Sequence, residues 1–226
     1  MFKNIRLGVL AVVLPVFFMS VAVDTTDASN MWEKFHWART QNSFTVTLVD
    51  KTSKEWDSPI EEAAENWSLS DVLDIKIVEE KVNKNNKNKT NCDPIEGKIV
   101  ICNSEFGDTN WLGLSEVWLE GDHITKATIK LNDTYFSQER FNTEEWRNYI
   151  TCHEVGHILG LDHVDTDYHN NPLGTCLDLV TNPTDSQRPN QDDYDSLELI
   201  YAHLDEYNTT SSIYDRKENK KGGTNK

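Results

Sequence analysis

The chain has 226 residues and carries 38 acidic and 22 basic side chains, which gives a formal net charge of −16 at pH 7. This length is enough for one domain with a substantial apolar core. The excess of negative charge argues against nucleic acids and anionic membranes as partners, because both repel an acidic surface.

The first 22 residues have the pattern of a secretory signal peptide. Lys3 and Arg6 precede an apolar run from Leu7 to Met19, and small residues follow that run. The run is shorter than the ~20 residues that a membrane-spanning helix needs. We therefore predict that residues 1–22 are cleaved, that the protein is secreted, and that it is not inserted stably in a membrane. The alternative is an uncleaved segment that anchors the same protein.

The remainder of the chain divides into three parts. Residues 23–41 have no clear hydrophobic period and are predicted to form an N-terminal arm, and residues 42–207 form the folded domain. The polar tail over 208–226 is predicted to be disordered. Within the domain, the polar run over 83–91 is predicted to be an exposed loop, because it has no apolar side chains to bury.

Alternating or β-branched runs predict five strands, at residues 43–49, 73–78, 97–102, 112–119 and 124–131. Capping residues and apolar periodicity predict three helices, which run from Ser58 to about Trp67, from a cap at Asn142 or Thr143 to a stop at Gly160, and from Asn190 to Leu204. Between the last two helices, residues 164–189 are predicted to form an ordered loop.

Four cysteines, an even number in an exported chain, predict two disulfide bonds. Four cysteines allow three pairings. Local spacing favours a bond between Cys92 and Cys102 across a short turn, which leaves Cys152 to pair with Cys176.

The segment from His153 to His163 reads HEVGHILGLDH and contains the strongest functional signal. His153 and His157 lie four positions apart on a predicted helix, so both imidazoles leave the same face and can share one zinc ion. Gly160 ends the helix, because glycine adopts a left-handed cap without strain. His163 can then reach the metal as a third ligand.

Three histidine ligands leave one position open for water, which is the arrangement of a catalytic zinc site. Glu154 is placed to accept a proton from that water, and we predict it to be the general base of peptide-bond hydrolysis. The other histidines are assigned no metal, because His169 lies near the motif but outside any ligand spacing, and His36, His123 and His203 are isolated in the sequence.

The segment HEVGHILGLDH resembles the zinc-binding motif of the metzincin clan of peptidases, and within that clan the matrixins. Weaker similarity extends over WLG at 111–113, KLNDTYF at 130–136, TCLD at 175–178 and PNQDDYDSLELIY at 189–201. The resemblance implies an α+β fold, in which a twisted, mixed five-stranded sheet lies over an active-site helix and a small C-terminal lobe contains a terminal helix. It implies a zinc metalloendopeptidase with one catalytic Zn²⁺ ion.

The resemblance also implies how substrate binds and what lies beneath the metal. An extended peptide would pair with an edge strand near Gly113 to Leu119, and we expect the enzyme to be a monomer. The family places a methionine in a turn under the zinc, whereas this chain has Leu177 there. The same alignment brings Cys152 close to Cys176.

Two further hypotheses follow. The acidic loop from Asp162 to Asp178 is a candidate Ca²⁺ site. The alternative function, for which the replacement of methionine by Leu177 is the hint, is a catalytically silent binding protein with a metzincin fold.

Overall fold

The computed structural model describes residues 30–80 and 92–210. The predicted signal peptide, the whole polar loop over 83–91, and residues 211–226 of the predicted tail lie outside the described residues. In the part of the chain that is described, six strands form one mixed sheet; they are β1 (His36–Trp37), β2 (Phe44–Asp50), β3 (Leu73–Glu79), β4 (Lys98–Ser104), β5 (Gly113–Glu120) and β6 (His123–Asn132).

Most of the sheet is parallel. Strands β3, β2, β4 and β6 are neighbours in that order and run in one direction. Strand β5 pairs antiparallel with β6 and with no other described strand, so it forms an edge of the sheet. All five strands predicted from the sequence are present.

The five-stranded sheet that the resemblance implied needs one correction. The sixth strand is β1, which pairs in parallel with the first residues of β6, at His123 and Ile124. It is two residues long, so it is too short to show a periodic pattern in the sequence. Its Trp37 is fully buried and donates from Nε1 to the carbonyl oxygen of Ile158 at 2.8 Å. Residues 36–37 therefore belong to the sheet and core.

Four α-helices within the described residues accompany the sheet; they are α1 (Asp57–Trp67), α2 (Asp133–Phe136), α3 (Glu144–Ile158) and α4 (Gln191–Ile200). Helices α1 and α3 pack together, and both contact the sheet. The cap of α3 is Thr143 rather than Asn142, since the Thr143 side chain accepts a hydrogen bond from Trp146 N. None of the described helices has the length and apolar character that a bilayer crossing needs.

Helix α4 ends at Ile200, four residues before the predicted Leu204. After the helix the chain turns back along β1 and the residues that follow it. Asp205 N donates to the carbonyl oxygen of Arg39 at 2.7 Å, and Thr209 N donates to that of Ala38 at 3.0 Å. These bonds hold residues 205–209 against the β1 region, so the chain leaves the helical path after Tyr201.

Both favoured disulfide pairings are formed. Cys92 is bonded to Cys102, with Cα atoms 5.7 Å apart, and Cys152 is bonded to Cys176, with Cα atoms 5.9 Å apart. The second bond joins helix α3 to the turn that contains Leu177.

Candidate metal centre and active site

The three histidines of the sequence motif meet at the end of helix α3. His153 and His157 extend from successive turns of the helix, and their Nε2 atoms are 3.0 Å apart. Gly160 has φ +102°, which turns the chain back. His163 then places its Nε2 atom 3.2 Å from that of His153.

Hydrogen bonds to the backbone fix the orientation of two of these rings. His153 donates from Nδ1 to the carbonyl oxygen of Cys176 at 2.7 Å, and His157 donates from Nδ1 to that of Leu161 at 2.9 Å. Each neutral ring therefore carries its lone pair on Nε2, which faces the other histidines. Such backbone acceptors are typical partners of metal-binding imidazoles.

Burial keeps the three imidazoles neutral. It lowers the pKa of His153 well below the usual value and the pKa of His157 to about 4, and it also lowers the pKa of His163. Three neutral imidazoles with converging lone pairs repel one another unless a cation lies between them. This donor set fits a zinc ion, and it leaves room for a further ligand.

Glu154 lies beside the histidines and is almost completely buried. Burial raises the pKa of its carboxyl group to about 7, while hydrogen bonds from Ser115 act in the opposite direction. The Ser115 hydroxyl also donates to the Glu154 carbonyl oxygen at 2.9 Å. A carboxyl group with a pKa near neutrality can both accept and donate a proton at physiological pH.

Gly113, the first residue of β5, leaves the space that the Glu154 side chain occupies. A Cβ atom at position 113 would lie 2.6 Å from Glu154 Cγ and 2.6 Å from its Oε1. The contact joins the edge strand to the candidate base. The sequence placed Gly113 in the candidate peptide-binding strand but did not indicate its contact with Glu154, because the two residues are 41 positions apart.

We expect Gly113→Ala to reduce catalytic turnover strongly without unfolding the protein. The added methyl group would displace the flexible Glu154 side chain rather than the backbone, so zinc content and the thermal midpoint should change little. Misplacing a proton-transfer group by about 1 Å can lower a rate on the order of 100-fold. Peptide hydrolysis and metal analysis would measure the two effects, and wild-type turnover would show that Gly113 does not position Glu154.

The first described residues, Asn30 to Trp32, contact the turn that leads to His163. Trp32 N donates to the carbonyl oxygen of Gly160 at 2.8 Å, and Asp162 N donates to that of Asn30 at 2.7 Å. The Trp32 ring stands edge-on to the ring of His157, with centroids 6.1 Å apart. This segment therefore supports the turn that carries His163, a role that the sequence did not indicate.

A cleft of about 340 Å³ opens onto these groups. Its lining includes the three histidines and Glu154 together with Trp32, Asp162 and the first three residues of β5. The cleft therefore runs between the candidate metal ligands and the sheet edge.

The turn beneath the histidines is built around Leu177, which is fully buried. A Cβ atom at Gly156 would lie 2.8 Å from both Leu177 Cδ2 and Trp67 Cζ2, so helix α3 packs closely on this turn and on α1. Leucine fills the place that the resemblance assigned to methionine. A Leu–Met exchange of similar volume in a core usually costs less than ~1.5 kcal/mol.

Of the four histidines left out of the site, three lie together. His36 and His203 form with Asp205 the second of two groups of potential metal ligands among residues 30–80 and 92–210, and His123 contacts the same aspartate. The carboxylates of the loop from Asp162 to Asp178 form no such group in the described chain. Calcium binding there stays a prediction.

Comparisons with known proteins find similarity among solved structures. Neither a family model nor a curated protein matches the sequence. Among solved structures, the chain is similar to archaemetzincin from Methanopyrus kandleri, with 12% identity, a TM-score of 0.39, and coverage of 71% of this chain and 97% of that one. It is also similar to archaemetzincin from Archaeoglobus fulgidus in complex with malonate, with 13% identity, a TM-score of 0.38, and coverage of 68% and 99%. TM-scores below 0.5 do not establish a shared fold, so any functional assignment rests on the site itself.

Proposed function

We propose that the protein is a zinc-dependent endopeptidase. The observation that carries the proposal is the convergence of three imidazole Nε2 atoms beside a buried glutamate, in a cleft at the edge of a sheet. His153, His157 and His163 would hold the ion. When bound, zinc supplies Lewis-acid chemistry, which activates water and polarises a carbonyl group.

Glu154 would perform the proton transfers. Its carboxylate accepts a proton from the attacking water, and its neutral form returns that proton to the amine that leaves when the peptide bond breaks. Gly113 and Ser115 position it from strand β5, while the backbone acceptors Cys176 and Leu161 hold the histidine rings.

The substrate would be a peptide in extended conformation. Among the described strands, β5 pairs on one side alone, and an exposed edge offers backbone donors and acceptors to an added strand. Its first residues line the cleft, so a peptide paired with β5 would pass the histidines. We further propose that the enzyme acts outside the cell as a monomer; the two disulfides and the signal-like N-terminal sequence support export.

A catalytically silent binding protein is the alternative. The intact Glu154 speaks against it, because a buried carboxyl group with a raised pKa is costly to keep unless it has a role.

The test is cleavage of a peptide library by the purified chain. We expect hydrolysis that a chelator abolishes and added zinc restores. We also expect His163→Ala to retain less zinc after dialysis and to lose activity, since two histidines remain where three are needed. His169→Ala provides the control, because the His169 side chain is 90% exposed. Binding of peptides without any cleavage would favour the silent binding protein.

A further inference from the structure

A second group of histidines surrounds Asp205, which lies in the segment after α4. The Oδ1 atom of Asp205 is 3.1 Å from His123 Nε2, 3.4 Å from His203 Nε2 and 3.6 Å from His36 Nε2. The Nε2 atoms of His36 and His203 are 3.2 Å apart. The group shares no residue with the site on helix α3.

The spacing of three of these atoms fits a tetrahedral ion. Zinc–nitrogen and zinc–oxygen bonds of about 2.0–2.1 Å place tetrahedral ligand atoms about 3.3 Å from one another. His36 Nε2, His203 Nε2 and Asp205 Oδ1 form a triangle with sides of 3.2, 3.4 and 3.6 Å. Two imidazoles and a carboxylate are donors that zinc accepts readily.

The hydrogen bonds around the group direct potential ligand atoms inward. His36 donates from Nδ1 to the carbonyl oxygen of Lys34 at 2.7 Å, which turns its Nε2 atom toward Asp205 and His203. Asp205 accepts the Arg39 backbone N–H on Oδ2 at 2.8 Å, which leaves Oδ1 for the group. His36 Nε2 and Asp205 Oδ1 thus face the same point, and a metal ion that binds there would displace any proton held between them, because metal ligands must be deprotonated.

Asp205 is well shielded from solvent. The side chains of His36 and Asp205 are 6% and 7% exposed, whereas that of His203 is 54% exposed. A metal ion could therefore enter from the side of His203.

We propose that His36, His203 and Asp205 bind a second zinc ion, which has a structural role. His123 is a positioning residue: its ring lies between the Tyr207 hydroxyl, 2.7 Å from Nδ1, and Asp205 Oδ1, and it holds the carboxylate in place. The ion ties the segment after α4 to strand β1, across 167 positions of sequence. Cross-links that close long loops restrict the unfolded chain most.

This site would also support the first one. Strand β1 continues directly from the segment that carries Trp32 and contacts Gly160. Fixing His36 therefore limits the movement of residues 30–37 against the turn that leads to His163.

Zinc stoichiometry tests the proposal. Wild-type protein that is loaded with zinc chloride and dialysed should retain about two ions per chain, and His203→Ala about one. The half-exposed His203 can be truncated without opening the core, and Asp205→Asn should give the same loss. His169→Ala, which removes an exposed histidine elsewhere, should retain both ions.

A second measurement separates this site from the proposed active site. In the His163→Ala background, added zinc should raise the thermal midpoint by about 5–10 °C at a free concentration ~100-fold above the dissociation constant. His203→Ala in the same background should remove that rise. The readouts require no peptidase activity, so they hold even if the proposed function fails. Unchanged zinc content in His203→Ala, or a midpoint rise that persists in the double variant, would overturn the second site.

Discussion

Glu154→Gln should lower kcat/KM for peptide hydrolysis by about 10²–10⁴-fold while zinc content stays at the wild-type level. Glutamine has nearly the same size and shape as glutamate, so it fits the space beside Gly113. Its amide cannot accept a proton from water at neutral pH, and the proton-transfer step is lost. Because Glu154 is not among the converging Nε2 donors, the histidines should still bind the metal.

The matched control is Glu145→Gln, which makes the same chemical change on the same helix. Glu145 lies in the first turn of α3 and is exposed. The activity and zinc content of Glu145→Gln should equal those of the wild type. Full activity in Glu154→Gln would show that another group accepts the proton. Loss of zinc in Glu154→Gln would instead assign the glutamate a structural role at the metal.

The local parts of the site could be predicted from the sequence because their geometry is set over short distances. His153 and His157 are one helical turn apart, and a helix fixes their relation wherever it occurs in a fold. Gly160 follows the helix within two residues and has the positive φ that its position indicated. Strands β2 to β6 and the two disulfides were likewise indicated by runs and spacings along the chain.

The parts that the sequence did not reveal depend on the packing of distant segments. Gly113 meets Glu154 only because strand β5 lies at the edge of the sheet beside α3. His36 and His203 each appear isolated, and only the pairing of residues 201–210 with the β1 region brings them together. A search for ligand spacings within one motif cannot detect such a group.

The end of helix α4 illustrates the same limit. Local sequence allowed the helix to continue to Leu204, yet it stops at Ile200. Asp205 accepts the Arg39 amide on its side chain and donates from its own amide to the Arg39 carbonyl oxygen, and these tertiary bonds require an extended segment. Tertiary contacts here override the local preference for helix.

Gly160→Ala should destabilise the protein by about 2–4 kcal/mol and reduce zinc retention. Alanine at φ +102° is strained, and its Cβ would lie 2.2 Å from the backbone carbonyl oxygen of Phe35. A backbone atom cannot yield as a flexible side chain can, so the turn must move and carry His163 with it. Urea denaturation would measure the free energy of unfolding, and metal analysis after dialysis would measure retained zinc.

Gly107→Ala separates the two causes of the lower stability, which are the strain at a positive φ and the contact with Phe35. Gly107 also has a positive φ, +87°, but a Cβ atom there would have nothing within 4 Å. We expect it to cost only the conformational penalty of about 1–2 kcal/mol and to leave zinc binding intact. The difference between the two variants then measures the contact with Phe35. Equal losses of stability and of zinc in the two variants would show that the N-terminal segment does not constrain the turn at Gly160. That segment would then not support His163.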